Sequence, residues 1–466
     1  WYRAEARGPG PQAGIDTNSF RNPGALVPTP QTGISELRAL TSPIFVGTRL
    51  ADPNPSDSLP VHQGTDDGAS SLIGTMGEFA GFGDVAEVPG GHIVVAEQHS
   101  ANRTDIVYRK RMADGSMSTT FRLNPATSTT ARLPKVATQG STVWVVWQEE
   151  RAGQVPRRSH IYARHSLDGG NTWQAEQLIR SVAGRAIHPD IALLPSSAPV
   201  IVWQEISSGN PMDVLLLRLG TDTAPVNLSR TGKTVAAANA GDTRSARYPA
   251  SVWPSVAVHS DGRIAVAYQD NRTDVDPLWT GQTGTGDSPD VDNWQILVRA
   301  RAPGTGLWST GTATGANDQA ERHPSLAFTS DGSLTVSFTR KTLAASGANV
   351  GVWAASSTDI GSTFATPIFI SALASAMSQY PHVATTTDGR IRAAWYDNRS
   401  SDYRWRIAYT TRAVDGTWAA PSLINSLGVN TWPRLSADAV VFSSTRHAQR
   451  AQRDSTQHVV LLPLTP

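Results

Sequence analysis

Cysteine is absent from the 466 residues. Disulfides, thiolate nucleophiles, iron–sulfur clusters and cysteine-ligated zinc are excluded with it. An excess of either charge is lacking too. Forty Lys+Arg against 39 Asp+Glu leave a formal +1, so no global field draws in nucleic acid or an anionic membrane. No apolar run approaches the length of a membrane span, so no transmembrane helix is expected. The HExxH, Walker, Gly-x-Ser-x-Gly and Rossmann patterns are missing, and the reaction classes they carry lose their support. Charged residues are scarce at 17%, yet 39% of residues are hydrophobic, which excludes wholesale disorder.

Turn chemistry is plentiful, with 39 Gly and 30 Pro. A phrase recurs down the chain: an aromatic or apolar residue, Pro, a short alternating run, a turn, then a second run ending in polar residues. It begins at Leu133-Pro134, His188-Pro189, Trp253-Pro254, His323-Pro324, Tyr380-Pro381 and Trp432-Pro433, with a weaker copy at Phe82-Gly83. The prolines lie 55, 65, 70, 57 and 52 residues apart. The runs alternate with period two, so they are strands. Asp261-Gly262, Asp331-Gly332 and Asp388-Gly389 are hairpin-turn dipeptides between the first and second strands. Proline lacks an N–H, which suits a strand's first residue. Each copy holds about four strands, too few to bury two faces alone, so copies must stack. The expected fold is all-β: a seven-bladed β-propeller of four-stranded antiparallel blades starting near 82, 133, 188, 253, 323, 380 and 432.

The last copy is one strand short. Pro43–Thr48 is expected to supply it, closing the ring and removing an open edge. Residues 1–40 read as an extended arm and 41–466 as the propeller.

Ser166-Leu167-Asp168-Gly169-Gly170-Asn171-Thr172-Trp173 and Ser357-Thr358-Asp359-Ile360-Gly361-Ser362-Thr363-Phe364 share the pattern Ser-x-Asp-x-Gly-x-Thr-aromatic, and Asp415-Gly416-Thr417-Trp418 is a remnant. The Asp caps its own turn, the Gly permits positive φ and the aromatic plugs between sheets. On these residues the chain, from about Phe82 onward, resembles the Asp-box (BNR) sialidase-like propellers. The resemblance implies a box between the third and fourth strands of a blade, acting as a structural staple away from the active face. Sialidases of that group have six blades and an Arg-Ile-Pro motif; seven copies and no Arg-Ile-Pro argue against sialidase hydrolysis here. Its seven-bladed relatives include ulvan lyases, which cleave uronate-containing chains with His, Tyr and Arg.

In a four-stranded blade the residue before each Pro and the end of each second strand share one face. Long connections at 50–81, 220–252 and 272–293 emerge there, and such connections tend to be functional. An aromatic, basic and acidic pocket is the default binding site. Its candidate catalytic residues are His188, His323 and Tyr380 for proton transfer and Arg272 and Arg399 for a substrate carboxylate. Candidate substrate contacts are Trp253, Trp432, Asp270, Asp397 and Arg340. Asp270/Arg272 and Asp397/Arg399 recur as twins, which equally suits structural ion pairs. His99 occurs once, at the end of the first copy's second strand. Trp144, Trp147, Trp173 and Trp203 sit at repeat positions and read as core.

No cofactor is required by any of this. Asp274, Asp276, Asp290 and Asp292 share one loop, whose oxygens suit structural Ca²⁺ or simple solvation. The chain opens on Trp1 rather than Met, giving the expectation of an exported protein: extracellular, periplasmic or at the cell surface. The first functional reading is a propeller binding a ligand, carbohydrate foremost, or a protein partner on its loop-rich face. The alternative is a carbohydrate-active enzyme: a polysaccharide lyase on a uronate-containing glycan ahead of a sialidase-type glycoside hydrolase. Nucleic acid is not an expected partner, and oligomeric state is not legible.

Overall fold

The computed structural model describes Glu5–Ala6, Leu37–Arg38, Ser70–Ile73 and, from 79 to 464, all but 101–102, 126–127, 152–157, 207–211, 231–249, 273–293, 315–319, 345–346, 373–375, 400–404, 425–428 and 446–456. The chain divides into two compact units, Trp1–Gln63 and Gly64–Pro466. In the first, Glu5–Ala6 pairs antiparallel with Leu37–Arg38. The rest of the arm expected over 1–40 lies outside the described residues.

The second unit is built of strands, and no helix occurs among its described residues. Correspondingly, no helix is long and apolar enough to cross a membrane. Five separate four-stranded antiparallel sheets run through 185–464. Two further antiparallel groups, within 79–122 and 128–180, are joined by a parallel pairing of Thr104 with Thr130. Each group, here called a module, has its strands in chain order, except that the last takes its fourth strand from near the N-terminus. The first strands are Phe79–Val88, Ser128–Gln139, Arg185–Leu193, Ser251–Val258, Ala320–Phe328, Ser378–Thr385 and Asn430–Leu435.

Asn430–Leu435, Ala439–Ser444 and His458–Pro463 make three strands of the last module. The fourth is Ser70–Ile73, antiparallel to His458–Pro463 with Ser70 opposite Leu461. The N-terminal side does supply the missing strand, but not from the expected place, and Pro43–Thr48 lies outside the described residues. The physical reason is reach. Ser70–Ile73 runs into the next first strand, at Phe79, through a short connection like those between other modules.

The second strands carry the largest fully buried side chains: Trp147, Trp203, Tyr268, Phe338, Trp395 and Phe442. Truncating such a residue to Ala typically costs roughly 3–5 kcal/mol, so these six anchor the packing. Apolar clusters sit between successive modules. One of them, with Val94, Val107, Val441 and Val459, joins the first module to the last.

Both boxes form the same turn between third and fourth strands. Ser166 Oγ donates to Asp168 Oδ1 and accepts from Gly170 N, and Thr172 N and Oγ1 both donate to the Asp168 carboxylate. Ser357, Asp359, Gly361 and Thr363 repeat it. These donors hold Asp168 and Asp359 down at about 2. Trp173, Phe364 and Trp418 pack against three of the inter-module clusters, as the sequence led us to expect.

Candidate functional site

Every first strand breaks register at one equivalent place. The shift falls between Gly81/Asp84, Arg132/Lys135, Ile187/Asp190, Val252/Ser255, Arg322/Ser325, Gln379/His382 and Thr431/Arg434. Two residues are left over in each case, which is a β-bulge. The first is always left-handed: Phe82, Leu133, His188, Trp253, His323, Tyr380 and Trp432 have φ between 51° and 57°. For a bulky side chain this conformation costs about 1–3 kcal/mol. The second is Gly83 or one of the repeat prolines. Proline therefore sits inside the bulge, not at the strand's first residue. Its missing N–H is harmless there, because the bulge removes that position from the ladder.

A neighbouring module holds the strained residue in place. Leu133 N donates to Glu97 Oε1 at 2.7 Å, His188 N to Gln148 Oε1 at 2.8 Å and His323 N to Gln269 Oε1 at 3.0 Å. Trp253 N donates to Gln204 Oε1 and Tyr380 N to Thr339 Oγ1. Phe82 N in the first module donates to Ser443 Oγ in the last.

Six of these side chains meet as a continuous aromatic array. Ring centroids lie 5.1 Å apart for Phe82–Trp432, 4.2 Å for Tyr380–Trp432, 3.7 Å for His323–Tyr380, 5.1 Å for Trp253–His323 and 4.1 Å for His188–Trp253. His188, His323, Tyr380, Trp253 and Trp432 are thus brought together by ring contacts, stacked for His323–Tyr380 and tilted or T-shaped for the others. Burial, with the charges of Lys135 and Arg185, draws His188 down to about 4. Burial and the Arg322 charge hold His323 well below the usual imidazole range. Burial pushes Tyr380 up to about 12. At neutral pH the array is an uncharged surface carrying imidazole nitrogens and a phenol.

The residue after each bulge forms a second, polar tier: Asp84, Lys135, Asp190, Ser255, Ser325, His382 and Arg434. Four of these accept a backbone N–H from the next module: Asp84 from Val136, Asp190 from Val256, Ser325 from Val383 and His382 from Leu435. Burial and the Arg434 charge draw Lys135 down to about 8, and burial raises Asp190. A cavity of about 440 Å³ runs from this tier toward the first hairpins, lined by Asp190, Ser255, His382, His259, Phe328 and Thr385 among others. The tier was not anticipated, although its signal lies in the sequence: the residue after each repeat proline is polar in every copy.

The proposed arginines lie elsewhere. Arg272 Nε and Nη2 meet both oxygens of Asp270 at 2.8 and 2.9 Å, and Nη2 also donates to Ser229 O. Arg399 holds Asp397 at 2.8 and 2.7 Å and donates to Ser371 O. Trp395 Nε1 and Ser378 Oγ add donors to Asp397. Arg340, buried, pairs with Glu321 at 2.9 Å. These groups hold one another, as the twin pattern allowed. In the first module His99 Nε2 lies 2.9 Å from Glu97 Oε2. Asp274, Asp276, Asp290 and Asp292 lie outside the described residues, as do 231–249 and 273–293 of the long connections.

No protein-family profile matches the chain, and no curated protein matches it. Solved structures do. An ulvan lyase of polysaccharide lyase family PL25, bound to -[GlcA(1-4)Rha3S]-, has a TM-score of 0.51 at 8% identity, covering 80% of this chain and 89% of that one. A second structure of a PL25 ulvan lyase gives 0.51 at 8%, with 84% and 95% covered. A Dyadobacter fermentans protein of unknown function gives 0.48 at 11%, with 85% and 98% covered. At such identities the likeness to the two ulvan lyase structures shows a shared all-β fold.

Proposed function

We propose that the chain forms a seven-bladed propeller of the Asp-box kind and binds a carbohydrate on its aromatic array. The observation that carries this reading is the array itself. Seven modules each send one strained residue to the same level, and six of the seven are aromatic rings in mutual contact. Strain maintained at a surface of mixed rings fits ligand contact, and sugars present apolar faces that stack on such rings. The seven-bladed count is supported by the module order and by the cluster joining the first and last modules. The ulvan lyase likeness supports the fold, and its glycan belongs to that enzyme.

A specific pairing favours a second reading, a lyase. His323 and Tyr380 stack at 3.7 Å, one a neutral base and the other a neutral acid. In a β-elimination the imidazole would take the proton α to a uronate carboxylate and the C–O bond at the β carbon would break. The phenol would protonate the departing oxygen, and a C=C bond would remain. With Arg272 and Arg399 engaged by Asp270 and Asp397, neutralisation of the uronate would fall to another cation.

Calorimetry on uronate-containing oligosaccharides tests both. Binding should weaken roughly tenfold or more in Trp253→Ala and stay nearly unchanged in Tyr380→Phe. Undiminished binding by Trp253→Ala would sink the site. A rise in absorbance near 235 nm, lost in Tyr380→Phe, would select the lyase.

A further inference from the structure

At the far end of the first strands, away from the array, three ionisable side chains converge across the junction of the first and last modules. His92 Nε2 lies 2.7 Å from Asp438 Oδ1, although 346 positions separate them in the chain. Glu87 is the cross-strand partner of His92 in the hairpin around Gly90 and Gly91. One ligand atom from each of the three residues falls within 4.8 Å of the others, and among the described residues no other group of three does so.

We propose that Glu87, His92 and Asp438 bind a divalent cation of the zinc class, which ties the first module to the last. Charge is the first argument. Bound through an imidazole lone pair and two carboxylates, a divalent ion would have its charge of +2 cancelled by the ligands. Donor type is the second: one imidazole nitrogen with two carboxylate oxygens suits zinc better than calcium, which prefers six or more oxygens. Geometry is the third. Tetrahedral ligands at about 2.1 Å from zinc stand about 3.4 Å apart, within a small side-chain adjustment of the observed cluster.

The surroundings are built to hold these ligands. His92 is only 7% exposed. Ala437 N donates to Glu87 Oε1 at 2.7 Å, and Ser436 Oγ donates to Asp438 Oδ1 at 3.2 Å, the type of outer contact that orients metal-bound carboxylates. His92 Nδ1 bonds to no other described residue. With the ring proton on Nδ1, Nε2 would turn its lone pair to the metal in place of the hydrogen bond to Asp438. Two other junctions are made differently. Arg263 reaches Gly332 O between the fourth and fifth modules, and Thr385 Oγ1 reaches Phe328 O between the fifth and sixth. A residue set found at one junction of a repeating fold answers a need of that junction. Here the need is to hold together modules that are far apart in sequence, where loop closure is entropically expensive.

The test uses the full chain, stripped of metal, with zinc, manganese and calcium chlorides. Calorimetry should find one zinc per chain, bound at least tenfold more tightly than calcium. The thermal midpoint should rise with zinc, because a ligand of the folded state alone stabilises it. Glu87→Gln and Asp438→Asn keep shape and hydrogen bonding while removing charge; each should weaken zinc at least tenfold and abolish the thermal shift. Absence of zinc uptake by the folded wild type overturns the proposal, as does undiminished uptake by both variants or a preference for calcium. Should both variants fail to fold by circular dichroism, anomalous scattering from a zinc-soaked wild-type crystal decides. A peak among the three side chains upholds the site, and a map without one there refutes it.

Discussion

His188 shows at the scale of a single residue what the fold asks of its ionisable groups. Enclosed near Lys135, its imidazole stays neutral and falls to about 4 from an ordinary value near 6.5. The unfolded chain therefore binds more protons between those values, so this residue's contribution is complete above about pH 6.5 and is lost as pH falls toward 4. Denaturant unfolding of the wild type should show stability declining over that window. His188→Asn should reduce the decline by at most about 3 kcal/mol; an identical slope would contradict the burial assigned to His188. Asp270 and Asp397 show another solution, each held by both oxygens in a pair with the arginine two residues on. That these acids and arginines recur as twins was legible in the sequence. That each arginine would turn back on an acid two residues before it was not, because the choice between a substrate carboxylate and a neighbouring one depends on loop conformation.

Elements repeat more faithfully than residues do. The X-Pro phrase marked every first strand from the second module on, and alternation identified strands throughout. The bulge stayed hidden, because an extra residue in a strand does not disturb a two-residue alternation visibly when proline follows. The aromatic array was therefore anticipated by position but not by its stacking. The closing strand was misplaced for a related reason. Pro43–Thr48 has the stronger β pattern, whereas Ser70–Ile73 is set by its connection to Phe79, and propensity is a weak guide beside tertiary context. The box turns support a sharper comparison. Gly170 has φ of 86°, and a Cβ there would stand 2.7 Å from Ile93 Cδ1; Gly140 has φ of 58° with open space around it. Gly170→Ala should cost about 2–4 kcal/mol from strain and overpacking together. Gly140→Ala should cost about 1 kcal/mol from backbone strain alone. Equal losses in equilibrium unfolding would contradict the role given to the box as a plug between sheets.

On the scale of the whole molecule, seven modules each carry the left-handed bulge, and six of these bulges are fastened by a hydrogen bond to the module before. The Phe82–Ser443 bond and the Val94–Val441 cluster carry that arrangement from the last module to the first. The array, the polar tier and the Glu87–His92–Asp438 cluster are all products of this convergence, which no single segment of sequence contains. The convergence of His188, Trp253, His323, Tyr380 and Trp432 into one ligand-contacting surface is the central claim. The most direct measurement is a crystal structure of the chain soaked with a uronate-containing oligosaccharide. We predict a sugar ring lying against the Trp253–His323–Tyr380 stack; a sugar ordered only on the outer edges of the modules, with the array untouched, would contradict it.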